Sequence, residues 1–391
     1  MAAAERRALI KKIEDLRGSN VICFLTSLRP GVPSNIADDS VRVFFDHLLL
    51  LPSRPVDRLD IFLCSNGGSG TVPWRLVSLF REFAKSFNVL IPYRAYSAAS
   101  LIALGADEIV MHPFAELGPI DPTVSNDFNP TEQPSGRRLG ISVEDVKAYV
   151  NFIKVTVGIT HEDELIKAIE LLANQVHPLA LGNVERFLMQ SRMIAKKILR
   201  THMPDSEEHT IDEIIENMAS KLYFHGHPIN REEAKKDLRL KVNANLAPEL
   251  ETAIWDLYKD FEVEFENTET FNPAGDLAAA QGQMPQPEQP ALPQGVPPGF
   301  AAVMAQQATT PIQREYSLLH ATVESPRLAS SFRTRRRFQM MQLVPGQQAI
   351  REDILSQGWN HSPAPTAATP LPPSATSPAG GPAGAVRPAD T

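Results

Sequence analysis

Two short runs of small residues have the composition that chemistry on a carbonyl or phosphoryl group requires. The first, Asn66-Gly67-Gly68, follows an apolar run typical of a buried strand and precedes a helical pattern. Adjacent glycines let a backbone turn without a Cβ and aim N–H groups at a ligand oxygen. The run lacks the lysine and spacing of a phosphate-binding P-loop and is not a G-x-G-x-x-G fingerprint. Taken alone, it is equally typical of a plain tight turn.

The second run, Ala95–Ser100, lies between a strand pattern and a short apolar helix and contains Ser97 and Ser100. A serine at such a junction has its hydroxyl at the positive end of the helix dipole, where a developing negative charge is stabilised. The ordinary structural interpretation is an N-cap serine. A Gly-Gly turn after one parallel strand and a serine turn after the next would lie together at the carboxyl side of a sheet. The pair therefore indicates a nucleophile beside hydrogen-bond donors.

The elements that would position these runs follow from hydrophobic periodicity. Apolar, β-rich runs predict strands at 21–26, 59–64, 88–92 and 108–111, and amphipathic patterns predict helices at 5–17, 38–50, 72–87 and 98–105. Strands alternating with helices at this spacing predict parallel βα units and an α/β sheet. From 142 the pattern is helical, with further helices predicted at 161–175, 181–201, 211–221, 232–238 and 248–264. These predict a helical arm.

Composition limits the class of protein. The chain has 391 residues, 43% hydrophobic and 21% charged, and a formal net charge of −8, which exclude a collagen, a coiled coil and a wholly disordered chain. The negative charge makes nucleic acid an improbable main partner. Cys23 and Cys64 both lie in apolar strand patterns, which excludes a disulfide framework and favours a reducing compartment. Since the chain shows neither a signal-peptide pattern nor a membrane-spanning apolar run, we expect a cytoplasmic protein.

The C-terminal part differs in composition from the rest. Segments 272–312 and 360–391 hold 16 of the 33 prolines, mixed with Ala, Gly, Gln and Ser, a composition that buries too little apolar area to fold. We therefore expect a folded domain at 1–265, a Pro/Ala/Gln-rich linker at 266–312, a small partly ordered segment at 313–359 and a disordered tail at 360–391. The segment 313–359 fits two short strands or a partner-binding segment. Its basic cluster, Arg333 to Arg337, suits an acidic partner, the protein's own oligomer or a solvated surface.

Four motifs in one order carry a family resemblance. They are Ser65-Asn-Gly-Gly68, Ala95-Tyr-Ser97-Ala-Ala, Gly105-Ala-Asp107-Glu-Ile-Val and Leu117-Gly-Pro-Ile-Asp-Pro122. This order resembles the Clp/crotonase superfamily and, more narrowly, the serine dehydrogenase proteinase (SDH) family of Clp-fold serine proteases, related to signal peptide peptidase A. The resemblance covers roughly residues 5–265. It implies a ββα-spiral core with a helical arm.

The resemblance also assigns roles to residues of the two runs. It makes Ser97 the nucleophile, because the Gly105–Val110 motif falls at the superfamily's spacing from that serine, and Ser100 would lie one turn too far inside the helix. Gly67 and Gly68, with the N–H of Ala98, would then hold the tetrahedral oxyanion.

The general base departs from the family pattern, because Asp121-Pro122 occupies the place of the Clp histidine. His225 and His227 lie in a stretch that matches the one carrying the acid of the Clp triad. His225 could act as base with Asp121 orienting it, a rearranged Ser/His/Asp set, while packing histidines are an equal alternative. Lys147 is the nearest lysine for a signal-peptide-peptidase-like base, but its helix has the pattern of a solvated face. The His-x-His pair has no third and fourth metal ligand at suitable spacing.

The sequence thus predicts a serine peptidase that cleaves peptide or unfolded protein substrates without a cofactor. We expect a homo-oligomer that binds no nucleic acid and has no membrane span. Two alternatives stay open. One is a catalytically silent Clp-fold scaffold that recruits partners through its tail. The other is a crotonase-like acyl-thioester enzyme, since that fold uses the same paired N–H groups.

Overall fold

The architecture is that of a computed structural model, which describes residues 3–120, 123–124, 127–132, 138–204, 207–221, 227–283, 312–344 and 347–363. The first elements along the chain are α1 (Ala3–Arg17), β1 (Asn20–Thr26), α2 (Asp39–Leu49), β2 (Val56–Cys64), α3 (Val72–Phe83), β3 (Ala84–Ile91), β4 (Arg94–Ala95), α4 (Ala98–Leu104), β5 (Glu108–Met111) and β6 (Glu116–Leu117). They confirm the predicted alternation of helices and strands. The exception is the helix predicted at 72–87, which ends at Phe83. Residues Ala84 to Asn88 pair with Val56 to Asp60 and form the first part of β3.

The middle of the chain is mainly helical, as predicted. Its elements are β7 (Thr123–Val124), β8 (Ile141–Ser142), α5 (Val143–Asn151), α6 (Glu162–Gln175), α7 (Pro178–Leu199), α8 (Glu208–Glu216), β9 (Ile229–Asn230), α9 (Arg231–Lys236), β10 (Val242–Asn243) and α10 (Pro248–Glu264). Five-residue π-helical turns extend α5 and α8, at Phe152–Thr156 and Asn217–Lys221. The last elements are α11 (Pro273–Gln283), β11 (Gln313–Glu324), β12 (Leu328–Val344) and β13 (Gln347–Pro363).

An eight-stranded sheet with the order β10-β5-β3-β2-β1-β11-β12-β13 organises the protein. The five strands from β10 to β1 are parallel, and β11, β12 and β13 are antiparallel to their neighbours. A smaller three-stranded sheet has the order β4-β6-β9. The carboxyl ends of β2 and β3, where the two glycine- and serine-containing runs begin, therefore lie side by side.

The strands at 313–363 differ from the expected small segment. They form three strands of 12, 17 and 17 residues rather than two short ones, and β11 pairs with β1 from Cys23 opposite Glu324 to Thr26 opposite Ala321. Also, α11 lies inside the segment expected to be a linker. The pairing of β1 with a strand almost 300 residues away has no local signal, because sequence periodicity does not encode which strands will be neighbours.

The basic cluster of β12 is paired within the chain. Arg335 and Arg337 form ion pairs with Glu315 on β11, and Arg336 pairs with Glu352 on β13. Glu315 and Arg337 are directly opposite in the strand register, the arrangement in which unlike charges stabilise a sheet. The cluster thus contributes to pairing of the C-terminal strands.

Two apolar cores cover the faces of the sheet. Helices α2, α3, α4, α7 and α8 pack on one face, around residues such as Phe24, Phe44 and Phe80. Helices α1 and α10 pack on the other face, around Phe62 and Phe261. The predicted strands are continuous apolar runs for this reason, since both of their faces are buried. Both cysteines are free and buried.

A charged cluster joins α1, α10 and β11. The guanidinium of buried Arg6 contacts the carboxylates of Asp260 and Glu264, and its Nη1 lies 3.1 Å from Oε2 of Glu324. Burial raises the pKa of Glu324, and the neighbouring Arg6 opposes that shift. Removing one partner of a buried charge cluster is costly, because the remaining charges are left without compensation.

We expect Arg6→Met to lower the free energy of unfolding by about 3–5 kcal/mol, because three carboxylates would lose their shared cation. Urea denaturation followed by circular dichroism measures this loss. Lys12→Met is the matched control, since Lys12 is exposed on the same helix, and it should change stability by less than about 0.5 kcal/mol. Equal losses in the two variants would contradict the role given to Arg6.

A buried histidine attaches α2 to the C-terminal strands. The Nδ1 of His47 lies 3.3 Å from Oγ of Ser325, and its Nε2 lies 3.0 Å from Oγ of Ser330. Burial, with a smaller contribution from His361, lowers the pKa of His47 from 6.5 to about 4. As pH falls, the unfolded chain therefore binds a proton at this residue at a higher pH than the folded protein does. Proton binding then favours the unfolded chain, so the folded protein loses stability as pH falls from about 6.5 toward 4.

Between pH 7 and pH 5 we expect the wild type to lose about 2 kcal/mol more stability than His47→Gln, which has no titrating group there. Urea denaturation at the two pH values gives the difference. The partly buried His202 and the buried His320 also have a lowered pKa, so the comparison with the variant isolates His47. Parallel losses in both proteins would show that His47 does not titrate as described.

Candidate active site

The loop after β2 is held by hydrogen bonds on both sides. Ser65 N–H donates to the carbonyl oxygen of Arg94 at 2.8 Å, and Tyr96 N–H donates to the carbonyl oxygen of Ser65 at 3.0 Å. The buried Ser65 hydroxyl lies 2.7 Å from Oγ1 of Thr26 and accepts the N–H of Gly67 at 3.0 Å. These contacts bring the glycine run against the serine run.

Both glycines of the loop are required by its geometry. Gly67 has φ 104° and Gly68 has φ 154°, a region that L side chains rarely adopt. A Cβ on Gly67 would lie 2.7 Å from the carbonyl oxygen of Tyr96 and 2.8 Å from Cβ of Ser97, and one on Gly68 would lie 2.3 Å from the carbonyl oxygen of Ile36. The loop is thus more than a plain turn, because its backbone packs directly against the turn that carries Ser97.

The N–H groups of the loop point to different partners. Ile36 donates its N–H to the carbonyl oxygen of Gly67 at 2.7 Å and accepts the N–H of Ser69 at 2.8 Å, so it occupies one side of the loop. The N–H of Gly67 is bound by Ser65, as described above. Among the residues that the structure describes, the N–H groups of Gly68 and Ala98 have no hydrogen-bond acceptor. Of the three predicted oxyanion donors, only that of Gly67 is thus paired within the described part of the chain.

Ser97 lies at the N-cap of α4 with unusual backbone angles, φ 51° and ψ −113°. A non-glycine residue at positive φ is strained and is found mainly where the surrounding structure enforces it, often at functional sites. Its hydroxyl makes no capping hydrogen bond, so the ordinary N-cap interpretation does not apply. The side chain is half-buried and lines a pocket.

Ser100 has a different environment. It is fully buried, and its hydroxyl lies 2.6 Å from the carbonyl oxygen of Ala95 and 2.7 Å from that of Gly118. It also accepts the N–H of Gly118 at 3.2 Å. Ser100 therefore connects the serine run to the chain after β6, and its hydroxyl is occupied by backbone groups.

A polar cluster missed by the sequence analysis fixes the residue before Ser97. The Tyr96 hydroxyl donates to Oε1 of Glu116 at 2.7 Å, and Nε of Arg94 donates to the same oxygen at 2.8 Å. Burial raises the pKa of Tyr96, and Glu116 raises it further, so the phenol stays protonated and keeps donating. A Cβ on Gly118 would lie 2.7 Å from the Tyr96 ring. The glycine in the Leu117–Ile120 run was therefore the only feature of the sequence that pointed to this close packing.

The predicted acid and base, Asp121 and His225, lie outside the described residues. Two strands close to them in sequence, β6 before Asp121 and β9 after His225, belong to the small sheet that also contains β4. In this sheet β4 pairs with β6, and β6 pairs with β9, with Leu117 opposite Ile229. Ile120, which precedes Asp121, lines the pocket and donates its N–H to the carbonyl oxygen of Met218 at 3.1 Å.

The other base candidates have separate surroundings. Nε2 of His227 lies 2.9 Å from Oε1 of Glu233, so this histidine is paired within its own segment. Lys147 lies on α5 and does not line the pocket. Within the described ranges, no group of three or more His, Cys, Asp or Glu side chains is arranged to hold a metal ion.

The pocket beside Ser97 has a volume of about 470 Å³ and lies between the glycine loop, α4 and α7. This volume is within the ordinary range for ligand sites. Ser191 of α7 donates its hydroxyl to the carbonyl oxygen of Ile120 at 2.7 Å and so fixes α7 against the pocket. The structure thus brings Ser97 and Gly68 into the lining of one cavity, with Gly67 packed behind them against Ser97 and Ala98.

Comparison with known proteins shows which sequence family part of this chain resembles. Residues 1–133 match the sequence family described as ClpP-like SDH-type serine proteinase. The match includes the glycine loop, the serine turn and the Leu117–Pro122 run. It confirms, for these residues, the family resemblance predicted from the sequence.

Two relatives are uncharacterized proteins of Methanocaldococcus jannaschii. MJ1495 is 32% identical over 129 residues, a match that spans 31% of this chain and 42% of that protein. MJ0137 is 22% identical over 262 residues, which are 65% of this chain and 78% of that protein. The first match thus covers less than half the length of the relative.

Two solved structures of variants of the 1510-N membrane-bound stomatin-specific protease are similar to this chain, one of them in complex with a substrate peptide. They are 14% and 15% identical, cover 60% and 59% of this chain and 84% and 78% of their own, and both have a TM-score of 0.34. In the part of this chain that the structure describes, no helix has the length and apolar character to cross a membrane.

We expect Gly67→Ala to destabilise the protein by about 2 kcal/mol or more, because the new Cβ meets the Tyr96 carbonyl and Ser97 at a positive φ. Gly182→Ala is the matched control: Gly182 lies in α7 with open space around the added Cβ, and alanine there should stabilise by about 0.5–1 kcal/mol. Urea denaturation of both variants measures these opposite effects. A tolerated alanine at Gly67 would contradict the close approach of the two loops.

Proposed function

We propose that this protein is a serine peptidase in which Ser97 attacks the carbonyl carbon of a peptide bond. One observation carries the proposal. The Ser97 hydroxyl makes no capping bond at a strained N-cap, and Ser97 lines the same pocket as Gly68, whose N–H has no acceptor among the described residues. The match of residues 1–133 to a serine proteinase family supports the same assignment.

The reaction would proceed through an acyl-enzyme. The Ser97 oxygen bonds to the carbonyl carbon while its proton moves to a general base, and the oxyanion accepts hydrogen bonds from Gly68 and Ala98. The base then gives its proton to the leaving amine, and a water molecule releases the acyl group by the same route. Loss of one oxyanion donor costs about 3–4 kcal/mol in enzymes of this kind. All these groups belong to the chain, so the mechanism requires no cofactor.

The proposed general base is His225, oriented by Asp121. The support is topological: Ile120, just before Asp121, lines the pocket, and β9, which begins four residues after His225, belongs to the small sheet that contains β4. His227 is a weaker candidate, because it pairs with Glu233. Lys147 is weaker still, since it is not among the lining residues.

The substrate would be an extended peptide or an unfolded chain that binds along the free side of Gly68 by β-augmentation. The opposite side of the loop is already paired with Ile36. We also propose a Clp/crotonase-like ββα-spiral core, supported by the small sheet β4-β6-β9 beside the main parallel sheet. The helical arm would mediate self-association, since it exposes Phe152 and Leu171.

A fluorophosphonate probe tests the proposal, because it forms an adduct only with an activated serine. We expect intact-mass analysis to show one adduct on the wild type and none on Ser97→Ala. The control that should keep the adduct is Ser69→Ala, which removes an exposed serine of the same pocket. Circular dichroism verifies that each variant is folded.

The opposite results are equally informative. An adduct that survives Ser97→Ala would overturn the assignment of the nucleophile. A folded wild type that forms no adduct would favour the catalytically silent scaffold, or an acyl-thioester enzyme if the protein then binds coenzyme A.

A further inference from the structure

We propose that β13, the outer strand of the main sheet, pairs antiparallel with β13 of a second copy of this chain, with Glu352 at the two-fold axis. This interface is separate from the helical arm, and it does not depend on the proposed peptidase activity. Three observations support it: an open backbone edge, exposed aliphatic side chains and a self-complementary order of charges.

The backbone of β13 is paired on one side only. Its inner side pairs with β12, and among the residues that the structure describes no strand pairs with its outer side. Such an edge presents unpaired N–H and C=O groups to any further strand. The chain after Pro363 suits that position poorly, since its 28 residues include seven prolines, which cannot donate to a strand ladder. A strand from a second molecule therefore fits this edge better.

The middle of β13 lies on a ribbon that projects past the end of β1. β1 ends at Thr26, which is opposite Ala321 of β11. β11 continues beyond that point, and there Arg314, Phe338 and Glu352 form one row across β11, β12 and β13. Glu352 is exposed, so a second copy can reach this part of the edge.

The exposed side chains of this stretch include three large aliphatic ones. Ile350 is 42% exposed, Ile354 is 57% exposed and Leu355 is 37% exposed. A long edge strand that exposes apolar side chains is a template for pairing with another chain. Ile350 and Ile354 lie on the same face of β13, because side chains alternate along a strand and these two are four residues apart. A second strand at this edge would cover both.

The order Ile350-Arg351-Glu352-Asp353-Ile354 is complementary to itself read backwards. In an antiparallel pair centred on Glu352, each Ile350 is opposite Ile354 of the other copy, and each Arg351 is opposite Asp353. Apolar pairs and unlike charges directly across a sheet stabilise the pairing. Moving the centre by one residue would place Arg351 opposite Arg351 or Asp353 opposite Asp353. The charges therefore select the register centred on Glu352.

The two Glu352 side chains that meet at the axis each keep a cation of their own chain. Nη1 of Arg336 on β12 lies 2.7 Å from Oε1 of Glu352. This cation offsets the repulsion that like charges directly opposite each other cause. Nε of Arg351 lies 2.9 Å from Oδ1 of Asp353, so these two exposed side chains share a face and can bind their counterparts in the second copy.

A bulge sets the length of the paired stretch. The register between β12 and β13 shifts between Ile354 and Ser356, so Leu355 is the extra residue. A regular ladder around Glu352 therefore ends at Leu355 on one side and, by symmetry, at Ala349 on the other. So short a ladder buries less area than most stable dimers do. We therefore expect a dimer that dissociates readily and is best measured by covalent trapping.

The test places one thiol on β13 of the full-length protein and adds a short bis-maleimide. Glu352→Cys puts the Cβ atoms of the two copies about 5 Å apart at the axis, the spacing of residues directly opposite. Ser356→Cys is the matched control, because it is exposed on the same strand but would lie about 27 Å from its counterpart. Cys23 and Cys64 are buried and should not react. We expect Glu352→Cys to give at least ten-fold more cross-linked dimer than Ser356→Cys, measured by intact mass.

Charge reversal tests the register. In the Glu352→Cys protein, adding Arg351→Asp places carboxylates opposite each other and should reduce the yield of cross-linked dimer at least five-fold. Adding Asp353→Arg as well restores unlike charges across the axis, and the yield should return to within two-fold of its starting value. Circular dichroism verifies that each variant is folded, and N-ethylmaleimide labelling verifies that the introduced thiol is accessible.

Equal cross-linking of Glu352→Cys and Ser356→Cys, or a yield that charge reversal leaves unchanged, would overturn the proposed pairing. So would a thiol at position 352 that N-ethylmaleimide cannot label in a monomer, since the chain itself would then cover the edge. A dimer held only by other surfaces, such as the helical arm, would sediment as a dimer without a cross-link at position 352 and would likewise contradict this interface.

Discussion

The close approach of two backbone loops is the constraint on which the rest of the site depends. The loops after β2 and β3 are joined by hydrogen bonds between Ser65 and the Arg94–Tyr96 backbone, at 2.8 and 3.0 Å. At this separation no Cβ fits on Gly67, since it would meet Tyr96 and Ser97 within 3 Å. The approach is possible because parallel strands end at the same edge of the sheet, and it packs Gly67 against Ser97 and Ala98.

The strained backbone of Ser97 is held by groups that surround it rather than by its own side chain. Ser100 binds the carbonyls of Ala95 and Gly118, and Tyr96 is fixed through Glu116. Two serines three residues apart therefore have opposite tasks. The Ser100 hydroxyl is buried and bound to backbone groups of the turn, whereas the Ser97 hydroxyl makes no capping hydrogen bond.

The C-terminal strands complete the scaffold beneath this site. By pairing with β1, β11 covers an edge of the parallel sheet that would otherwise expose unpaired backbone groups. Glu324 of the same strand joins the Arg6 cluster, which links it to α1 and α10. Loss of these strands would thus uncover the strand that packs next to β2, whose end carries the glycine loop.

The sequence by itself determined most helices and strands of the first 111 residues, the arm helices, and the two runs that approach each other, because periodicity, glycine pairs and apolar runs are local signals. It did not determine that β3 begins at Ala84, that residues 313–363 join the main sheet, or that α7 supplies a wall of the pocket. Those features depend on which segments become neighbours in space. Nor could it distinguish the donors, since the N–H of Gly67 is occupied by Ser65 only in the folded loop. The family resemblance favoured Ser97 over Ser100 by spacing, but only the tertiary structure shows how the two hydroxyls differ in burial and hydrogen bonding.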